Sequence, residues 1–213
     1  MRAKFLILSF FLCLATYAQD KGYKLGFWGA YDQHPVIEAN KQTTDGSKYV
    51  MSSRFIPTGK NSSIDEKSKF VIQLGMSISQ YSDSVYYDLN VFVETTSEHY
   101  VSVLKGSPLL LKLSDGEIIK LYCKDDAEDK IGYVVSAHYN IISYSTTACY
   151  RISSKDVLKF KKGITKVRLE VNAEKCDMEF KKYKNDELGQ FLLSAYSLVS
   201  QTMHNQTDFE EGF

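Results

Sequence analysis

The run Val85-Tyr86-Tyr87-Asp88-Leu89-Asn90-Val91-Phe92-Val93-Glu94-Thr95 sets the architecture expected of this chain. In an extended backbone successive side chains leave on opposite faces, so Val85, Tyr87, Leu89, Val91 and Val93 share one side. Tyr86, Asp88, Asn90, Phe92 and Glu94 share the other. The first set is wholly apolar and is assigned to a core. A slip of one residue would bury Asp88 and Glu94 instead, so the register is firmly specified.

The same two-residue period recurs on both sides of this run. Residues 48–56 and 69–79 read as strands, with Gly75 marking a bulge, and the polar stretch 57–69 between them reads as a loop. Residues 109–113 and 117–123 flank Ser114-Asp115-Gly116, whose Asp-Gly pair supplies the positive φ angles of a tight hairpin. Residues 131–139 and 141–151 are rich in Tyr, Val, Ile, Ser and Thr and add two more strands. In 164–171, Val167, Leu169 and Val171 point inward and Lys166, Arg168 and Glu170 outward; the pattern continues, or turns back, through Cys176, Met178 and Phe180.

Two helices interrupt the pattern. Ser153 caps a short one over 153–162, with Asp156 in its first turn, Lys159, Lys161 and Lys162 near its negative end, and Gly163 closing it. At Asp186 the period changes to 3.6. Leu188, Phe191, Leu192, Ala195, Val199 and Met203 then form one apolar stripe, the mark of an amphipathic helix that docks on a sheet. The expected fold is mainly β: an antiparallel β-sandwich, immunoglobulin-like in general architecture, with a short helix near 153–162 and a C-terminal amphipathic helix. One domain is expected over 48–204, favoured over a two-domain split near 104–109 because the link Lys105-Gly106-Ser107-Pro108 is short, and 205–213 is expected to be a polar, flexible tail.

The N-terminus carries a different signal. Arg2 and Lys4 precede an apolar run over 5–15 broken only by Ser9, and Thr16-Tyr17-Ala18 ends it with small residues where a signal peptidase cuts. Residues 1–18 are therefore expected to be a secretory signal peptide, too short to remain as a membrane anchor. Its removal takes away Arg2 and Lys4 and leaves 24 basic residues against 26 acidic ones. A net charge of about −2 gives no general attraction to nucleic acid. Residues 19–47 are punctuated by Gly22, Gly26, Gly29 and Pro35 and are expected to form an irregular arm holding Phe27, Trp28 and Tyr31.

An extracytoplasmic address permits disulfides. Cys13 falls within the signal, leaving Cys123, Cys149 and Cys176; the expected bridge is Cys123–Cys149, with three reduced thiols as the alternative. Catalytic signatures are lacking. His34, His99, His138 and His204 are scattered without metal-ligand spacing, and no Gly-x-Ser-x-Gly elbow, P-loop or dinucleotide fingerprint occurs. Asp125, Asp126, Glu128 and Asp129 lack the alternation and glycine of a calcium loop and read as a solvated turn. No cofactor and no metal are expected. Trp28 and Tyr31 are the binding candidates, since aromatic faces stack on sugar rings or clasp a partner; the competing role for Trp28 is as a plug for the sandwich's own core.

One resemblance adds to this. The order strand, Ser114-Asp115-Gly116 turn, strand, acidic loop, two strands is followed by Ile152-Ser153-Ser154-Lys155-Asp156-Val157-Leu158 and then Lys161-Lys162-Gly163 leading into Val167-Arg168-Leu169-Glu170. This half of the chain resembles a group of small, signal-bearing, β-rich proteins of Gram-negative bacteria that have no assigned function. The resemblance implies a periplasmic or exported β-protein and brings no catalytic residues. The expected function is a secreted or periplasmic, non-catalytic binding module for a protein or a glycan. The alternatives are a small secreted hydrolase with a site assembled from distant residues, and a structural accessory subunit of an envelope complex.

Overall fold

The computed structural model describes residues 23–25, 31–55, 62–64, 70–95, 100–127, 130–136, 141–180 and 186–211, with side chains over 34–55, 70–95, 100–127, 144–180 and 186–205. The expected signal peptide at 1–18 and Trp28 lie outside the described residues. Thirteen described strands run in chain order: β1 (Tyr23–Leu25), β2 (Tyr31–Gln33), β3 (Ile37–Gln42), β4 (Lys48–Phe55), β5 (Ser62–Ile64), β6 (Phe70–Tyr81), β7 (Ser84–Thr95), β8 (Pro108–Leu113), β9 (Ile118–Tyr122), β10 (Lys130–Ser136), β11 (Ile141–Ile152), β12 (Ile164–Val171) and β13 (Glu174–Phe180). A short helix α1 (Ser154–Val157) runs on into a 3-10 turn (Leu158–Lys162), and α2 (Glu187–Glu211) is the last described element.

The strands make two main antiparallel sheets, six-stranded in the order β10-β11-β7-β6-β4-β3 and five-stranded in the order β5-β13-β12-β8-β9; β1 and β2 pair as a separate hairpin. The inner faces of both sheets feed one core. Leu74, Met76, Leu89 and Val91 come from the larger sheet, Leu109, Leu111, Val167 and Leu169 from the smaller, and Leu188, Leu192 and Ala195 from α2. Burying each Leu or Val contributes about 1.5–3 kcal/mol, which is why the inward alternation dictates the register. Helix α2 lies against β4 and β6, where Phe55 meets Phe191 and Phe180 edge-on at 5.6 and 6.3 Å. Further along the helix, Val199 and Met203 close a second cluster with Val50 and Ile78.

Several expectations are met in detail. Leu89, Val91 and Val93 are fully buried, and the Ser153 hydroxyl both caps the Asp156 amide (3.1 Å) and donates to the Asp156 carboxylate (2.7 Å). The bulge lies opposite Gly75 rather than in it. Strand β4 carries an extra residue at Ser52-Ser53, and the Ser52 hydroxyl takes the Met76 amide at 3.0 Å. A Cβ at Gly75 would stand 2.9 Å from the Ser53 carbonyl oxygen, so glycine is the residue that fits.

Other expectations are corrected. The arm at 19–47 is not irregular throughout, because β1, β2 and β3 fall within it; β3 is an edge strand paired to β4, and its polar sequence hides it from pattern analysis. The loop at 57–69 contains β5, which pairs with β13. The tail at 205–213 is helical as far as Glu211. Val85 is 47% exposed, since the β6–β7 hairpin reaches beyond the layer that covers its partners. Asp88 and Asn90, assigned to the open face, are only 5% and 2% exposed.

Candidate ligand-binding cleft

The burial of Asp88 and Asn90 comes from long neighbours on the outer face of the larger sheet. The register sets Ser77, Asp88 and Arg151 side by side, and the next rung sets Gly75, Asn90 and Cys149. Arg151 donates through Nε to Asp88 at 2.7 Å while its guanidinium covers the Tyr86 ring at 4.1 Å; Lys124 Nζ approaches the same carboxylate at 3.6 Å. Cys149 gives its thiol hydrogen to the Asn90 side-chain oxygen at 3.3 Å. Its partner is thus an amide rather than a base. Burial, followed by the nearby Asp88 charge, pushes the Cys149 thiol above its ordinary pKa, which opposes use as a nucleophile. This cluster holds a charge inside the fold; it is not built for group transfer.

The expected Cys123–Cys149 bridge is not formed, and Cys123, Cys149 and Cys176 are all free thiols. Cys123 is paired across from Tyr150, and Cys149 is the neighbour of Tyr150 along β11. Period-two alternation therefore sends Cys123 into the core and Cys149 to the outer face. The Cys123 thiol donates to the Asp125 carbonyl at 3.1 Å.

Of the acidic turn, Glu128 and Asp129 lie outside the described residues. Asp126 accepts the Lys105 amide at 2.7 Å, and no group of three His, Cys, Asp or Glu suited to a metal exists among the described residues. Tyr31 sits in β2 opposite Leu25, with its side chain outside the described set, so neither Trp28 nor Tyr31 can be placed in a site. His99 and His138 are likewise outside it. His34 lines an open groove on α2 with Ser194 and Ser197, and no carboxylate lines that groove.

A deeper cleft opens where residues 100–107 cross the ends of both sheets. It encloses about 570 Å³ and is lined by Phe70, Tyr100, Ser102, Leu104, Ser107, Glu170, Asn172, Ala173 and Glu174. Its shape depends on one residue. Asn172 and Ala173 make the two-residue turn between β12 and β13 with φ of 51° and 61°, the left-handed geometry that Asn tolerates better than most residues. From that turn the Asn172 side-chain oxygen accepts the Ser102 amide (2.8 Å) and hydroxyl (3.1 Å), its amide group donates to the Tyr100 carbonyl, and its backbone N–H donates to the Ser102 carbonyl (3.0 Å). The far end of the crossing segment is fixed by pairing of Val103 with Ala127 and by the Gly106 amide on the Cys123 carbonyl (2.9 Å).

The clamped segment displays Tyr100, 72% exposed, with its ring 5.5 Å from that of Tyr144, and Leu104, 58% exposed. Phe70 forms a buried floor. Two carboxylates complete the rim, and neither Glu170 nor Glu174 is ion-paired among the described residues. The hairpin register puts them on opposite faces: Glu174 stands across from Val171, and Glu170 across from Lys175. Such carboxylates can each accept a hydroxyl hydrogen. The sequence pattern placed Glu170 outward on its strand and singled out none of Tyr100, Asn172 and Glu174; the one local hint was the tolerance of Asn172 for a tight turn.

No described helix is long and apolar enough to cross a membrane. No known protein family, no curated protein and no solved structure matches this chain.

Proposed function

We propose that this chain is an exported, non-catalytic β-sandwich module that binds a glycan in the cleft beneath residues 100–107. The observation that carries the reading is the pairing of an exposed aromatic ring, Tyr100, with two carboxylates free of ion pairs among the described residues, Glu170 and Glu174, around one cavity. A sugar ring offers an apolar face for stacking and hydroxyls for donation, and the cleft offers a partner for each. The export signal expected at 1–18 supports an address where such ligands occur.

The test is calorimetric titration of the purified protein with a panel of neutral oligosaccharides. Tyr100→Ala and Glu170→Gln should each weaken the best ligand by about tenfold, or ~1.4 kcal/mol, while leaving the melting temperature unchanged. A ligand that binds both variants as tightly as the parent protein, or a panel in which none binds, refutes the proposal.

A further inference from the structure

The outer face of the five-stranded sheet reaches the cleft at Glu170 and carries a second surface of its own on β8 and β9. Its register builds three rungs across β9, β8 and β12: Ile118–Lys112–Lys166, Lys120–Leu110–Arg168, and Tyr122–Pro108. Ile118 and Tyr122 stand 57% and 54% exposed, and a shallow groove of about 170 Å³ runs between Leu110, Ile118 and the cations Lys112, Lys166 and Arg168. Large apolar side chains at alternate outward positions, on strands where polar ones would serve solubility, mark a surface that meets something.

The charges on this face are sorted. Its carboxylates lie off the β8–β9 half, Glu170 among them on the outward side of β12. Asp177 and Glu179 lie on β13, where they hold Lys166 and Arg168; Asp115 and Glu117 lie at the hairpin turn, where Lys162 binds both and Lys159 binds Glu117. Lys112 and Lys120 have no ion pair among the described residues, and Lys120 rests its ammonium 5.1 Å over the Tyr122 ring. The β8–β9 half is therefore cationic with apolar points between its lysines.

We propose that this half-face docks on an anionic lipid surface. Lysines on flexible stems reach headgroup phosphates, Tyr122 lies at the depth that aromatic rings with a polar tip favour, and Ile118 enters the acyl boundary. Exposed Ile118 and Tyr122 beside Lys112 and Lys120 give a bilayer surface both an apolar and an anionic partner, whereas a soluble anion would need only the lysines.

The test is co-sedimentation of the purified protein with phosphatidylcholine vesicles, alone or with a quarter of phosphatidylglycerol. The protein should sediment only with the anionic vesicles, and added salt should release it. Lys112→Ala and Lys120→Ala should each lower partitioning about five-fold. Ile118→Ser with Tyr122→Ser should also lower it, with the circular dichroism melt unchanged because both side chains are exposed. Tyr100→Ala should sediment like the parent, which separates this surface from the cleft. Failure to sediment with anionic vesicles overturns the proposal. So does an Ile118→Ser, Tyr122→Ser variant that binds as well as the parent, the outcome expected if the lysines serve a soluble polyanion.

Discussion

Replacing Gly189 by alanine should destabilise the protein although alanine is the better helix former. Gly189 lies in the first turn of α2, and a Cβ built there falls 2.4 Å from the Phe160 carbonyl oxygen and 3.4 Å from the Gly163 Cα. An ordinary carbon–oxygen contact is about 3.3 Å, so the start of the helix must retreat by roughly 1 Å from the 3-10 turn. Leu188, Phe191, Leu192 and Ala195 would retreat with it, and all four are buried in the common core. Overpacking of this kind costs about 1–3 kcal/mol, against a gain in helix propensity of at most about 1 kcal/mol. Because 2.4 Å is well inside contact, the overpacking cost falls in the upper part of its range, about 2–3 kcal/mol. The net loss should be about 1–2 kcal/mol, seen as a fall in melting temperature of roughly 2–4 °C per kcal/mol for a chain of this size. Urea and thermal unfolding measure it, with Ser194→Ala on the exposed side of the same helix as the control. That control should gain a few tenths of a kcal/mol, about the difference in propensity. A Gly189→Ala protein as stable as the parent would refute the seating of α2 on the Leu158–Lys162 turn.

Two further substitutions probe buried and paired groups. The Tyr150 hydroxyl is buried without a hydrogen-bond partner among the described residues, so Tyr150→Phe should raise stability by about 1 kcal/mol; a loss of stability in urea unfolding would reveal a partner. Asp177 is held well below the usual carboxylate range, first by the Arg168 hydrogen bonds at 2.6 and 2.7 Å and then by Lys166. A depressed folded pKa means stabilisation that is present above the unfolded value and drains away as pH falls below about 4. Asp177→Asn should therefore cost about 0.5–1 kcal/mol at neutral pH, with the gap closing in acid; a gap independent of pH would sink the ion-pair account.

What alternation reveals, and what it hides, is visible in β7. The period placed Leu89, Val91 and Val93 on the correct side because a core face tolerates no exception. It misjudged Asp88 and Asn90, since a polar face tells nothing about whether Arg151, Lys124 and Tyr86 reach over it. Strand β3 was hidden for a related reason. Its side chains are mostly exposed on both faces, so backbone pairing with β4 holds it in place and no apolar period is needed. The C-terminal helix outran its stripe because the helical backbone runs on to Glu211, past the last position of the apolar period at Met203. The cleft was illegible: Asn172 grips Tyr100 and Ser102 across about 70 positions, and no local pattern records such a clamp.

That clamp and the sorted outer face share one constraint, the register of β12 on β13. Pairing of Leu169 with Cys176 and Val167 with Met178 keeps the inward positions apolar, while Arg168 with Asp177 and Lys166 with Glu179 carry the outward ones. A slip of one residue would drive the ion pairs into the core, at a cost no surface pair repays, and would move Asn172 off the turn that aims its side chain at residues 100–102. The inward side chains thus fix the hairpin, and the hairpin in turn fixes both exposed surfaces. Substitutions at Val167 or Leu169 should accordingly disturb the cleft and the lysine face together, whereas Tyr100 and Lys120 can be changed one at a time.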